Sequence, residues 1–188
     1  MTARFRYAIK RSPKSDPQQY RVYRMENEAI GARQYRTLSK RDIDALVRSV
    51  CRNYRVRPPV IVWKNLGRWA AEWSINDKRC WIIFNPKKGS AWDILTVLHE
   101  LAHHVHECLG AGQAERHEAH GPEFMACYLS ILDTCRVIPV VGMRAICAAW
   151  NVRYADPGTR NSIGRLLRIV RRLPSRVRRR RARGAEAK

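Results

Sequence analysis

Residues 90–110, SAWDILTVLHELAHHVHECLG, decide the fold of this 188-residue chain. Apolar side chains recur through the stretch at helical spacing and cover more than one face, which predicts a helix over residues 91–109. Ser90 and Asp93 have the spacing of a capping box at its start, and Gly110 marks its end. A helix that is apolar on two sides usually lies at the centre of its domain, so we expect the other elements to pack around it.

This helix carries the motif His99-Glu100-Leu101-Ala102-His103. Two histidines four residues apart lie on one helix face, about 6 Å apart along the axis, so their imidazoles can converge on one ion. Zinc prefers such ligands, and in catalytic sites it keeps a fourth position for water, from which Glu100 can take a proton. The alternative is an exposed helix face with clustered histidines, which the apolar neighbours disfavour.

A third ligand has to come from another part of the chain. His104 points away from the pair, and His106 lies too far along a straight helix. The candidates beyond the glycines that end the helix are His117, His120, Glu118 and Glu123. We favour His120 because it stands just before Pro122, which suits the first position of a further helix.

The surrounding sequence predicts an α+β fold. Upstream, a helix over residues 40–54 begins with a capping box of Ser39 and Asp42. Three strand-like runs follow, at residues 60–63, 69–75 and 80–84, and turn-forming residues separate them, which predicts an antiparallel three-strand meander. Downstream of Pro122, the next helix is expected to bury Phe124, Tyr128, Ile131, Leu132 and Cys135. The order is therefore helix, meander, motif helix, helix.

The chain divides into three parts on composition. Residues 1–20 are polar and are interpreted as a flexible basic arm, residues 21–156 as the folded domain, and residues 157–188 as a basic tail. A short strand is predicted between residues 20 and 35. The six cysteines form no C-x-x-C pair, which favours free thiols in a reducing compartment. No secretory signal and no apolar run of the ~18 residues that a membrane span needs is present, so we expect a soluble, cytoplasmic protein.

The tail holds about half of the net charge of +21, because residues 157–188 contain twelve Lys or Arg and one Glu. Such charge predicts sequence-independent contacts to nucleic acid phosphates. The arginines concerned are Arg165, Arg168, Arg171, Arg172, Arg176, Arg178, Arg179, Arg180, Arg181 and Arg183. Three alternatives stay open: a solvated tail that adds solubility, a last core helix over residues 163–173, and a helix on a membrane surface.

HELAH at residues 99–103 followed by HGPEF at residues 120–124 resembles the SprT-like metallopeptidases, which include the eukaryotic protease Spartan. The resemblance covers roughly residues 40–136. It implies a minimal gluzincin-like domain, with His99, His103 and His120 as zinc ligands and Glu100 as the catalytic base. Many relatives carry a C-terminal zinc ribbon with paired C-x-x-C motifs, and this sequence has none. Members of the Spartan type cleave proteins crosslinked to DNA, and the resemblance suggests this class of substrate.

The expected function is therefore that of a zinc-dependent metalloendopeptidase that hydrolyses a protein or peptide substrate near nucleic acid. The alternative is a nucleic-acid-binding or structural protein that keeps the zinc-binding fold without turnover. Glu100 disfavours that alternative, because a purely structural metal site has no need of a base.

Overall fold

The computed structural model describes residues 16–30, 37–76, 79–109 and 118–155. Within these ranges the chain forms a small α+β fold, in which a three-stranded mixed sheet packs with five α-helices. The predicted α+β class is confirmed at this level. The core is continuous and draws on every helix and on the sheet.

Helix α1 spans Gln19–Met25 and continues into a π-helical turn, Glu26–Ile30. The strand predicted between residues 20 and 35 is wrong for residues 20–30, which are helical. Residues 1–15 of the predicted arm lie outside the described residues, and its last residues, 16–20, belong to the fold. Val22 and Met25 are fully buried, and Asp16 and Gln18 ahead of the helix are buried as well. The polar sequence misled the prediction because these polar groups are buried against distant partners described below, rather than being solvated.

Helix α2 spans Lys40–Tyr54, as predicted. The Ser39 side chain accepts a hydrogen bond from the backbone N–H of Asp42, and the Asp42 carboxylate accepts one from the backbone N–H of Ser39. Arg55, with φ of 56°, ends the helix in the left-handed conformation. The apolar stripe of α2 is buried against the core.

The strands are β1 (Val60–Trp63), β2 (Ala71–Asn76) and β3 (Arg79–Phe84). The predicted antiparallel meander is wrong, because the sheet order is β1-β3-β2 and β1 pairs with β3 in parallel. β2 and β3 form an antiparallel pair in which Asn76, the last residue of β2, lies opposite Arg79, the first residue of β3. Residues 64–70 are too many for a tight hairpin. Asn85, which follows β3, anchors this connection, because its backbone N–H donates to the carbonyl oxygen of Ala70 and its side-chain amide donates to that of Trp69.

A 3-10 turn, Gly89–Trp92, precedes the central helix α3, Ile94–Cys108. The capping box predicted from Ser90 and Asp93 is wrong, and α3 begins three residues later than expected. Asp93 is itself the N-cap, and its carboxylate accepts a 2.7 Å hydrogen bond from the backbone N–H of Leu95. The prediction that α3 is central is confirmed, because its residues are buried on most sides.

Helix α4 spans Pro122–Thr134 with Pro122 in its first turn, as predicted, and α5 spans Val140–Ala149. Of the core face predicted for α4, Cys135 is only half-buried and follows the helix end, while Phe124, Tyr128, Ile131 and Leu132 are fully buried. No helix in the described ranges is long and apolar enough to cross a membrane. The tail, residues 157–188, and its predicted helix lie outside the described residues.

Candidate metal centre

Three imidazoles converge at the middle of α3. The Nε2 atom of His99 lies 3.2 Å from Nε2 of His120 and 3.2 Å from Nε2 of His103. His99 and His120 are buried, and His103 is half-buried, so His103 is the most exposed of the three. These three residues form a group that can hold a metal ion.

The backbone elements explain why the three rings meet. His99 and His103 lie one turn apart on α3, and His120 stands two residues before α4, which packs against α3. The buried side chain of Gln18 fixes the His120 segment, because its amide nitrogen donates to the carbonyl oxygens of His120 (2.8 Å) and Arg153 (2.9 Å). Its amide oxygen accepts a 2.8 Å hydrogen bond from the backbone N–H of Arg153.

Two buried carboxylates lie within hydrogen-bond distance of the Nδ1 atoms of His99 and His120. Glu26 Oε1 lies 2.7 Å from Nδ1 of His99, and Asp16 Oδ2 lies 2.6 Å from Nδ1 of His120. Both carboxylates come from the segment that the sequence prediction treated as arm and strand, and sequence reasoning missed them. Their partners are 73 and 104 residues away, so no local pattern in the sequence identifies them.

This arrangement fits a metal ion. An ionised carboxylate can only accept, so each Nδ1 atom carries the proton and donates it, and the Nε2 atoms of His99 and His120 present lone pairs. Two such acceptors facing each other at 3.2 Å repel unless a metal ion or a proton lies between them. Metal-bound histidines almost always donate their other ring nitrogen to a carboxylate or carbonyl in this way.

The pKa shifts of the imidazoles reflect their surroundings. Burial and the neighbouring imidazoles lower the pKa of His103 well below its usual value. Burial also lowers the pKa of His120, although the hydrogen bond to Asp16 partly offsets it. At His99, burial opposes protonation, but the charge and hydrogen bond of Glu26 outweigh it and raise the pKa.

Glu100 is buried beside this cluster, at 7% exposure. Burial raises the pKa of Glu100 to about 7, while the charge of His99 and a hydrogen bond from the backbone of Trp73 in β2 act in the opposite direction. A carboxylate with a pKa in this range can both accept and return a proton near neutral pH. Glu100 therefore has the chemistry of a general base and acid.

Aromatic rings surround the imidazoles. Phe124 packs on His103 with ring centroids 4.3 Å apart, and it also contacts His99 and His120. Trp73 of β2 stacks on His103 as well, with a distance of 6.0 Å between the ring centroids. These apolar walls leave few polar groups to compete for the imidazole nitrogens.

Tyr23 of α1 is a further residue that sequence reasoning missed. Its ring centroid lies 5.0 Å from that of His120 and 5.6 Å from that of His99. Burial, followed by the charges of Glu100 and Glu26, raises the pKa of the Tyr23 hydroxyl, so the hydroxyl keeps its proton and can donate a hydrogen bond. Nothing in the sequence around residue 23 distinguishes this tyrosine from a core residue.

The remaining sequence candidates are not part of the cluster. His104 points elsewhere, as predicted, since its Nε2 atom lies 2.8 Å from the carbonyl oxygen of Arg57. Glu118 forms an ion pair with Arg153 at 3.3 Å. Glu123 is half-buried in the first turn of α4 and is not in the metal-binding group. His117 lies outside the described residues.

Comparisons of the chain with protein-family models, with curated proteins and with solved structures return no match. The assignment of a function therefore depends on the chemistry of the site.

Proposed function

We propose that this chain is a zinc-dependent metallopeptidase of the SprT-like, gluzincin-like kind that the paired motifs resemble. The observation that carries the proposal is the convergence of the Nε2 atoms of His99, His103 and His120 beside the buried Glu100. Two zinc–nitrogen bonds of ~2.0–2.1 Å at a tetrahedral angle set the nitrogens ~3.3 Å apart. The observed separations of 3.2 Å agree with that value.

When bound, zinc would supply a Lewis acid that acidifies water and polarises the substrate carbonyl. Glu100 is the residue that transfers protons during the reaction. Its carboxylate takes a proton from the attacking water and later gives it to the amine that leaves. Burial brings the pKa of Glu100 to about 7 and so makes its carboxylate a stronger base than an exposed one, which favours the first step. A pKa this close to neutral still allows the protonated form to give the proton to the amine.

Tyr23 supports the same reaction as a hydrogen-bond donor. Negative charge develops on the carbonyl oxygen as water attacks, and a fixed donor aimed at that oxygen stabilises the transition state. The Tyr23 ring packs against His99 and His120, and its hydroxyl stays protonated. We assign to it the role of oxyanion donor.

Strand β2 offers the surface on which a peptide substrate would bind. It pairs with β3 on one side only within the described residues, and its Trp73 contacts both His103 and Glu100. An extended peptide can add to such an edge through main-chain hydrogen bonds. This would bring a scissile carbonyl next to the three imidazoles.

The proposal that the protease acts near nucleic acid depends on charge outside the described residues. The described ranges hold 16 Lys and Arg against 12 Asp and Glu, so they account for only a small part of the net charge of +21. The arginine-rich tail is therefore the part of the chain best suited to phosphate contacts.

The test compares wild type with Glu100→Gln, using an unfolded protein substrate with and without DNA. Gln is nearly isosteric with Glu, so the variant should fold and hold zinc, while cleavage should fall by about 10²–10⁴. Glu28→Gln is a matched control, because Glu28 is exposed on the π-helical turn and pairs with Arg24. Equal cleavage by wild type and Glu100→Gln would refute the assignment. Zinc-loaded wild type that cleaves nothing would favour the non-catalytic nucleic-acid-binding alternative.

A further inference from the structure

A second group of metal-ligating side chains lies on a different face of α3. Cys80 of β3, His104 of α3 and Cys108 in the last turn of α3 each present a ligand atom, and these atoms lie within 4.8 Å of one another. Cys80 is half-buried, His104 is buried and Cys108 is exposed. None of the three contributes to the cluster of His99, His103 and His120, although His104 directly follows one of its members.

The hydrogen bond of His104 determines which ring nitrogen is available. Its Nε2 atom lies 2.8 Å from the carbonyl oxygen of Arg57, which can only accept, so Nε2 carries the proton. The lone pair is therefore on Nδ1. A metal-binding histidine usually donates a hydrogen bond from one ring nitrogen, often to a backbone carbonyl, and binds the metal through the other nitrogen.

The distances suit a thiolate-rich tetrahedral site after one adjustment. The Sγ atom of Cys108 lies 3.8 Å from Nδ1 of His104 and 3.7 Å from Nε2. A sulfur and a nitrogen bound to the same zinc are ~3.5 Å apart, so the separation is close to what is needed. The sulfur is nearly equidistant from both nitrogens and thus lies off the lone-pair axis of Nδ1. Binding requires the exposed Cys108 side chain to turn about its Cα–Cβ bond.

We propose that Cys80, His104 and Cys108 form a second metal site that takes zinc or a similarly thiophilic divalent ion. Two thiolates and one imidazole are the ligand chemistry of zinc, and the exposure of Cys108 leaves the fourth position to water or another ligand from solvent. The bound ion ties β3 to the C-terminal turn of α3. It therefore holds the end of the helix that carries His99 and His103, without depending on peptidase activity.

The experiment uses the full-length protein loaded with zinc or with cobalt(II) and then dialysed. Wild type should hold about two ions per chain, and Cys80→Ser/Cys108→Ser about one. The cobalt protein should show thiolate-to-cobalt charge-transfer absorption in the near ultraviolet that this variant lacks. Cys135→Ser is the matched control, since Cys135 is also half-buried but belongs to neither group, and it should keep both the second ion and the absorption. The single Cys108→Ser variant serves if the double variant does not fold.

A His120→Ala variant separates the two sites. It should lose the ion of the three-histidine cluster and keep the thiolate absorption, so each site is tested independently of the other. A wild-type protein without thiolate absorption would overturn the proposal. So would an intact mass two hydrogens below that of the reduced chain with Cys80 and Cys108 joined, because the thiols would then form a disulfide instead of binding metal.

Discussion

Replacing Glu26 by Ala should weaken zinc binding although Glu26 is not a ligand. The carboxylate accepts a 2.7 Å hydrogen bond from Nδ1 of His99, and the two side chains are only 4% and 2% exposed. Removing the acceptor leaves a buried N–H group without its partner and reduces the basicity of the ligating nitrogen. Loss of such an outer carboxylate typically costs 10–100-fold in metal affinity, or about 1.4–2.8 kcal/mol.

The assay is competition for zinc against a chelator of known affinity, with the thiols blocked so that it measures only the cluster of His99, His103 and His120. Glu26→Gln keeps an acceptor but loses the charge, so its dissociation constant should fall between those of wild type and Glu26→Ala. Glu28→Ala removes a carboxylate two residues away that pairs with the exposed Arg24, and it should bind zinc as wild type does. Circular dichroism of the chelated proteins checks that each variant folds. A folded Glu26→Ala protein with the zinc affinity of wild type would refute the role given to this carboxylate.

Three further predictions concern the site and the tail. His120→Ala should remove zinc from the three-histidine cluster while His117→Ala keeps it, as measured by metal analysis with the thiols blocked; the reverse result would show that the third ligand is wrong. Tyr23→Phe should keep zinc affinity and lower kcat by about 10²–10³, the usual loss of one oxyanion donor, with KM nearly unchanged; an unchanged kcat would remove Tyr23 from the mechanism. Deleting residues 157–188 should weaken DNA binding and flatten its dependence on salt concentration, whereas an unchanged slope would locate the polyanion site in the rest of the chain.

Local signals in the sequence were enough to predict several parts of the fold. The capping box of Ser39 and Asp42 indicated the start of α2, and Pro122 indicated the start of α4, because both signals act within one helical turn. The two motifs also predicted which imidazoles would converge. For α3, two residues had capping chemistry, and the sequence alone could not decide that Asp93 caps the helix while Ser90 belongs to a 3-10 turn.

Local signals in the sequence could not predict which distant strands and side chains would pair. The parallel pairing of β1 with β3 depends on how residues 64–70 cross the end of the sheet, which no turn residue specifies. Asp16 and Glu26 look like solvated acids in a polar stretch, and only the tertiary structure brings them to histidines. Helix α1 likewise has no side-chain cap at Gln18, whose amide is used to hold His120 and Arg153 instead.

The segment from Asp16 to Glu26 has a thermodynamic consequence for the whole domain. It supplies the hydrogen-bond acceptors behind two of the three proposed ligands, so its docked state and the metal-bound state favour each other. Linkage makes that coupling reciprocal: by whatever factor docking of the segment tightens metal binding, the metal tightens docking by the same factor. Metal binding at the three histidines and docking of the Asp16–Glu26 segment are therefore coupled equilibria, and a change that weakens one weakens the other.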